Sequence, residues 1–455
     1  MEKQNQLLTG NIFSALTALA LPIMGTSFLH IAYHLVDMVW IGILGSNAVA
    51  SIGVASYFVM FSMALIRLIQ VGTEVNVAQS IGAGNGERAN KYAGTALILA
   101  ISIGLMYSMV LFIFNHQLIG FFNLGSEFVE TEARSYLLIM AAGMVFIFLN
   151  PVITCIYNGS GYSKAAFKVN AIGMVANLVL DPLFIFALGL GVRGAAIATI
   201  LSQALVTAVL LAMLQKNRPF TEFGFSRKWY PAKAADITKL GSPVALQSGL
   251  FAVFSVFLAR IVAFYGPDAI AAQKVGVQLE SISYMTANGF AIALSSFTGQ
   301  NYGAGRLDRV RSGIITAGLV MTGFGIVTSL ILYVFARELF MIFIREPDTV
   351  LIGAQYVRIL ALSQLFMCLE ISLAGGFNGL RKTLPPAVVG IFFTGLRVPV
   401  AYMLARENLL GLEGVWWTIT GSSVIKGSLM LLMIILLVRS LHTSNKPVQP
   451  INQTT

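Results

Sequence analysis

Apolar runs of about 20 residues recur along the whole chain and alternate with short polar segments. A helix of that length crosses the ~30 Å hydrocarbon layer of a bilayer, whereas a membrane β-barrel shows short alternating strands. The pattern therefore predicts an all-α, polytopic membrane protein. Its twelve predicted transmembrane helices lie at residues 14–41, 48–79, 92–114, 134–157, 164–188, 194–214, 237–264, 269–298, 312–336, 352–378, 384–405 and 414–438.

Composition supports a protein whose main partner is the lipid bilayer. Of 455 residues, 57% are hydrophobic and 11% are charged, about half the charged fraction of a soluble domain. The net charge of +10 is concentrated in alternate loops, above all in residues 215–239. By the positive-inside rule, both termini are predicted to be cytoplasmic, in the cell (inner) membrane. The basic charge thus reports topology, and we expect no nucleic-acid partner.

An internal repeat divides the chain into halves. The segment Gln79-Ser-Ile-Gly-Ala-Gly84 recurs as Gln300-Asn-Tyr-Gly-Ala-Gly305, and Pro22 is matched by Pro243. With six helices each, the halves should have the same orientation in the membrane. We therefore predict an N-terminal lobe at 1–214, a cytoplasmic linker at 215–236, a C-terminal lobe at 237–440 and a polar cytoplasmic tail at 441–455.

Two aspartates interrupt the apolar runs of the first half, Asp37 and Asp181. An acid inside a membrane helix costs about 3 kcal/mol on insertion scales and usually marks function. Asn177 precedes Asp181 by one helical turn, on the same side of the helix. The repeat supplies no like residue in the second half, where Leu258, Arg397 and Ala401 stand at the matching positions. With help from Asn177 and Thr199, the two acids are predicted to bind one H+ or one Na+; the alternative is polar contacts that only join helices.

Further polar residues suggest subsidiary roles. His30 and His34 share a helix face with Asp37, and imidazole titrates near neutral pH, so with Tyr33 they form a candidate proton relay; purely local hydrogen bonding is equally compatible. Pro22 is the candidate bending point of the first helix. Candidate residues of a substrate cavity, for which structural pairing is the alternative, are Arg67, Glu74, Gln247, Glu280, Glu370 and Arg397.

The combination of these motifs resembles the multidrug and toxic compound extrusion (MATE) family over residues 12–440. The most specific parts are Leu21-Pro22 with Asp37, the Gln79–Gly84 segment, Asn177-xxx-Asp181-Pro182 and the Gly191–Thr199 segment. The resemblance implies two six-helix lobes forming a V around a central cavity. It also implies a secondary antiporter that exports cationic, amphipathic compounds in exchange for H+ or Na+.

The resemblance carries over to single residues. The family's N-lobe cation site falls on Asp37, Asn177, Asp181 and Thr199. Phe251 and Met367 stand where the NorM-type branch has acids, which favours the DinF-like branch with coupling in the N-terminal lobe. We expect a monomer with no cofactor besides the coupling ion.

Two other functions are weighed against antiport. A lipid-linked saccharide flippase of the same superfamily should have a more basic cavity, for which Arg67, Arg260 and Arg397 are candidates. An integral-membrane enzyme should cluster its polar residues near one interface, whereas here they are spread through the spans. Because the Walker, HExxH and GxSxG patterns are absent, we expect neither ATP-driven transport nor an enzyme.

Overall fold

The computed structural model describes residues 7–216, 228–406 and 408–443, and within these ranges the chain is helical with no strand. The long apolar runs form helices because a helix satisfies every backbone hydrogen bond within itself, which lipid requires. In chain order the helices are α1 (Ile12–Ile43), α2 (Ser46–Gly82), α3 (Gly86–Gly120), α4 (Glu127–Ala142), α5 (Met144–Gly159), α6 (Ser163–Pro182), α7 (Gly191–Lys216), α8 (Pro231–Ala263), α9 (Pro267–Gly303), α10 (Leu307–Val334), α11 (Ala336–Met341), α12 (Pro347–Ala361), α13 (Gln364–Gly379), α14 (Leu384–Leu404) and α15 (Leu412–Thr443).

The membrane spans agree with the predicted all-α membrane fold. Nine helices among the described residues are long and apolar enough to cross a bilayer, and two bent pairs, α4 with α5 and α12 with α13, bring this to eleven. The twelfth predicted span is α9, whose 37 residues are long enough but include Lys274 and Glu280, which lower its hydropathy.

Two spans predicted as continuous are broken in the middle. The chain bends by 49° between α4 and α5 and by 52° between α12 and α13. The first break lies at Gly143, where a side chain would collide with Ile200 of α7. The second lies around Ser363, at the matching position of the repeat. Neither break shows in the apolar pattern, because apolar residues continue on both sides of each bend.

The first helix of the second half starts earlier than the span predicted at 237–264. Helix α8 begins at Pro231, inside the segment predicted as the linker 215–236, and proline suits the first turn of a helix. Residues 217–227 of that linker, and residues 444–455 of the predicted tail, lie outside the described ranges. The lobe boundaries taken from the repeat otherwise stay a prediction.

Close helix packing recurs at matched positions of the two halves. A side chain on Gly159 would lie 2.7 Å from the Glu74 carbonyl, and one on Gly379 would lie 2.6 Å from the Ser295 carbonyl. Glycine at such points lets helix backbones approach closely, which drives helix association in membranes. The contact is repeated by a second matched pair, Gly194 against Phe184 and Gly414 against Leu404.

Contacts group the chain into two units that differ from the two halves of the repeat. The first contact unit is Leu21–Ala245, and the second contact unit comprises the described parts of Met1–Ala20 and Leu246–Thr455. The divisions fall beside Pro22 in α1 and Pro243 in α8. In the first unit, the start of α8 packs against α2 and α3.

Two contacts fix the start of α8 in this unit. Gly241 and Gly72 each pack directly against backbone, that of Leu68 on α2 and of Ile237 on α8 respectively. Beside them, the Tyr92 hydroxyl of α3 donates a 2.6 Å hydrogen bond to Asp236.

Gly241→Ala is expected to destabilise the protein, because the added methyl group meets the Leu68 carbonyl; overpacking of this kind costs about 1–3 kcal/mol. Gly249→Ala is the matched control on the same helix, since nothing lies within 4 Å of a side chain there. Thermal unfolding in detergent should give a lower melting temperature for Gly241→Ala alone. Equal melting temperatures for the two variants would contradict this packing.

Candidate functional site

The candidate site is a pair of acidic side chains, Asp37 on α1 and Asp181 on α6, inside the first contact unit. Their carboxyl groups lie within hydrogen-bonding reach of each other. Asp181 is 1% exposed, and its Oδ1 accepts a 3.1 Å hydrogen bond from Asn177 Nδ2. Among the described residues, no donor reaches the buried Oδ1 of Asp37 or Oδ2 of Asp181.

The local chain explains how Asp181 is positioned. Asn177 and Asp181 are four residues apart, so their side chains meet on one helix face. Pro182 ends α6, and residues Leu183–Ala187 continue as one wide π-turn, a feature frequent at functional sites. Gly194 at the start of α7 packs against the Phe184 carbonyl of this turn. The turn therefore sets α7 beside the carboxyl pair.

Thr199 of α7 joins the site through a tyrosine. The Tyr33 hydroxyl, one turn before Asp37 on α1, donates a 3.1 Å hydrogen bond to Thr199 Oγ1. Asp37 and Asp181 thus come together directly, Asn177 binds Asp181, and Thr199 is linked through Tyr33. The structure brings the four predicted ion-coupling residues into one region; their role stays a prediction.

A small cavity lies beside this region. Its volume is about 30 Å³, which is enough for roughly two water molecules. His30 and Tyr33, two members of the predicted relay, line it; the side chain of His34 lies outside the described part of the chain. The other lining residues are Thr26, Leu29, Asn170, Gly173, Met174, Ser202, Gln203 and Val206.

Sequence reasoning missed residues that build the walls of the site. Tyr136 of α4 is buried and lies close enough to the carboxyl pair to interact with both acids. Asn150 of α5 donates a 3.0 Å hydrogen bond to the Gln203 carbonyl and accepts one of 2.5 Å from Thr207. The one indication of Asn150 in the sequence is that it interrupts an apolar run.

Comparison with known proteins identifies the family. The sequence pattern of the MatE family matches the chain twice, at residues 22–183 and 243–403. The chain belongs to the MatE family. The two matches start at Pro22 and at Pro243, the same pair of positions that marks the internal repeat, so each half carries one copy of the family's unit.

Relatives of this MatE chain cover nearly all of it. It is 28% identical over 426 residues, 92% of this chain and 91% of the relative, to a probable multidrug resistance protein NorM of Thermotoga maritima. It is 27% identical to the probable multidrug resistance protein YoeA of Bacillus subtilis, covering 89% and 90%. A crystal structure of MATE in the straight conformation matches with a TM-score of 0.88 at 26% identity, covering 96% and 99%.

Among the described residues, the remaining candidates fall into both contact units. In the first unit, Arg67 is half-buried and Glu74 is buried, both on α2. In the second unit, Gln247 packs against Gly390 of α14. The other three belong to one cluster of charges in that unit, in which Glu370 and Arg397 are buried and Glu280 is half-buried. A substrate-cavity role for all six stays a prediction.

Thr207→Val is expected to destabilise the site wall, because it removes the donor to the buried Asn150 Oδ1. A buried polar group left unpaired costs about 1–3 kcal/mol, and helix-to-helix hydrogen bonds in membranes average ~0.6 kcal/mol. Thr322→Val is the matched control, since that hydroxyl bonds only the Gly318 carbonyl within its own helix. Melting temperatures should rank Thr207→Val below Thr322→Val, and the reverse order would contradict the described network.

Proposed function

We propose that the protein is a secondary antiporter that exports cationic, amphipathic compounds in exchange for H+ or Na+. The observation that supports coupling to a cation is the contact between the carboxyl groups of Asp37 and Asp181. The observation that supports drug export is the similarity to relatives named as probable multidrug resistance proteins. No cofactor besides the coupling ion enters the proposal.

The electrostatics of the pair require a cation. Two unit charges 4 Å apart repel by about 4 kcal/mol at an effective dielectric constant of 20, in addition to the ~3 kcal/mol insertion cost of each acid. Within the described residues, no lysine or arginine pairs with either carboxyl. One proton shared between the carboxyl groups, or one Na+ held between them, removes the repulsion.

The ligand set suits either ion. Na+ takes oxygen ligands, and the region offers the carboxylates, the Asn177 amide and the Thr199 hydroxyl. A proton needs only the two carboxyl groups, and the cavity beside His30 and Tyr33 has room for water that carries it. The chemistry of the residues therefore supports one cation per loaded site and leaves H+ and Na+ as the two candidates.

Loading of the pair provides a coupling mechanism. When the cation is bound, Asp37 and Asp181 hold α1 against α6; when it leaves, their repulsion favours separation. Pro22 interrupts the hydrogen-bond ladder of α1 and supplies the bending point. The ion-loaded and empty states thus favour different helix arrangements, which is what alternating access requires.

The proposal includes the setting of the transporter. It acts as a monomer in the inner membrane with both termini in the cytoplasm, and it has no enzymatic activity. The flippase alternative has less support, because the guanidinium of Arg397 is occupied by hydrogen bonds to Ser422 and Ser423 and is therefore less available to an anionic lipid.

Asp181→Asn is expected to abolish ion-driven export, because the amide cannot exchange a proton and has no charge to attract Na+. The measurement is efflux of a fluorescent organic cation from proteoliposomes, driven separately by a Na+ gradient and by a pH gradient. The gradient that drives the unaltered protein also identifies the coupling ion.

Asp348→Asn is the matched control, since this exposed side chain at the start of α12 undergoes the same chemical change. It should retain full gradient-driven efflux. Size-exclusion profiles establish that both variants are folded. Undiminished gradient-driven efflux by a folded Asp181→Asn protein would refute coupling at the carboxyl pair.

A further inference from the structure

The second contact unit contains a buried cluster in which acids and bases balance. Lys426 Nζ of α15 lies 2.9 Å from Glu370 Oε1 of α13, and both side chains are about one-tenth exposed. Arg397 of α14 is 8% exposed, and Glu280 of α9 lies near both cations. Two acids thus lie near two bases in one unit, where Glu280 is half-buried and the other three groups are buried.

The two cationic groups of the cluster are held firmly. The guanidinium of Arg397 donates to the Ser422 hydroxyl, at 2.8 Å to the Ser423 hydroxyl and at 3.5 Å to the Ile419 carbonyl. The ammonium group of Lys426 is fixed by its contact with Glu370. Since the groups are part of the chain, neither can be exchanged with ions from solution.

The repeat places these cations opposite the candidate ion site of the first half. The matched contacts of Gly194 and Gly414 fix the register at 220 residues in this region. In that register Arg397 corresponds to Asn177, the partner of Asp181, and Lys426 corresponds to Val206, which lines the small cavity. The hydroxyls that bind Arg397 also correspond to cavity-lining residues, namely Ser202 and Gln203.

The two halves differ in the charges that they carry at these positions. The first half has two acids with no lysine or arginine paired to them among the described residues, together with a small polar cavity. The second half has two acids; Lys426 stands at a position that corresponds to the cavity wall, and Arg397 stands at the position of Asn177. With the same helix packing, the first half therefore has room for an exchangeable cation, whereas the second half has cationic side chains.

We propose that Lys426 and Arg397 are tethered counter-cations, which permanently neutralise Glu280 and Glu370 in the second half and restrict exchange of the coupling ion to the first half. This inference rests on the proposed antiport function. It predicts that Glu370, once deprived of its tethered partner, becomes a new site for an exchangeable Na+ or H+.

Lys426→Met tests the inference, because methionine keeps the length of the side chain and removes the charge. The substitution is made in a protein that already carries Asp37→Asn and Asp181→Asn, so that the carboxyl pair of the first half contributes no ion site. The melting temperature is measured in NaCl against N-methylglucamine chloride at equal ionic strength, and over a range of pH.

The expected result is a melting temperature that rises with Na+ or with falling pH in the Lys426→Met protein. The parent carrying only the two asparagines should show no such shift. Adding Glu370→Gln to Lys426→Met should abolish the shift, and Lys426→Arg should never show it. An unchanged ion response in Lys426→Met would overturn the proposal, since Glu370 would then need no counter-cation.

A second measurement keeps the test decisive if Lys426→Met alone does not fold. The double variant Glu370→Gln, Lys426→Met, with the first half intact, removes both charges at once, which is often tolerated where removal of one is not. The ratio of coupling ions to exported substrate, obtained from reversal potentials in proteoliposomes, should equal that of the unaltered protein. A changed ratio would overturn the inference.

The two proposals fail separately. If Asp181→Asn retains ion-driven efflux, coupling at the first half is wrong, whatever the melting temperatures show. If Asp181→Asn abolishes efflux but Lys426→Met gains no ion response, only the tethered counter-cations are wrong.

Discussion

The repulsion between two neighbouring carboxyl groups, of the half-buried Asp37 and the buried Asp181, is the constraint on which the first contact unit depends. Asp37 and Asp181 are close enough to share a proton, yet no lysine or arginine among the described residues pairs with either. The Asn177 amide supports one of them without neutralising its charge. The surrounding architecture keeps the pair together at this cost: α6 ends at Pro182, a π-turn follows, and α7 is set against that turn.

Glycine residues allow the helices to be positioned this closely in a membrane. Lipid tails are as apolar as leucine, so helices gain little from burying apolar side chains and associate instead through close backbone contact. The chain uses this device at matched points of both halves, as at Gly159 and Gly379. A scaffold repeated in this way holds different chemistry in each half: unpaired acids in one, and balanced acids and bases around Arg397 and Lys426 in the other.

Much of this could be read from the chain. The spans follow from hydropathy, and the repeat follows from recurring glycine and proline positions. Asp37 and Asp181 were identified because an acid in an apolar run is costly and conspicuous. Tyr136 and Asn150 were missed for the opposite reason: uncharged polar residues occur throughout the spans, and only their partners distinguish them. The bends at Gly143 and around Ser363 could not be predicted, because hydropathy contains no information about the direction of a helix axis.

The sequence by itself determined the class of protein, the number and order of its spans and the asymmetry of charge between its halves. These are properties of composition and register, which the bilayer turns directly into helices. Only the tertiary structure decided which charges meet. Asp37 and Asp181 are in contact although 144 positions separate them in the chain, and Glu370 pairs with Lys426 of another helix. Helix packing determines such partners, and no local sequence pattern predicts them.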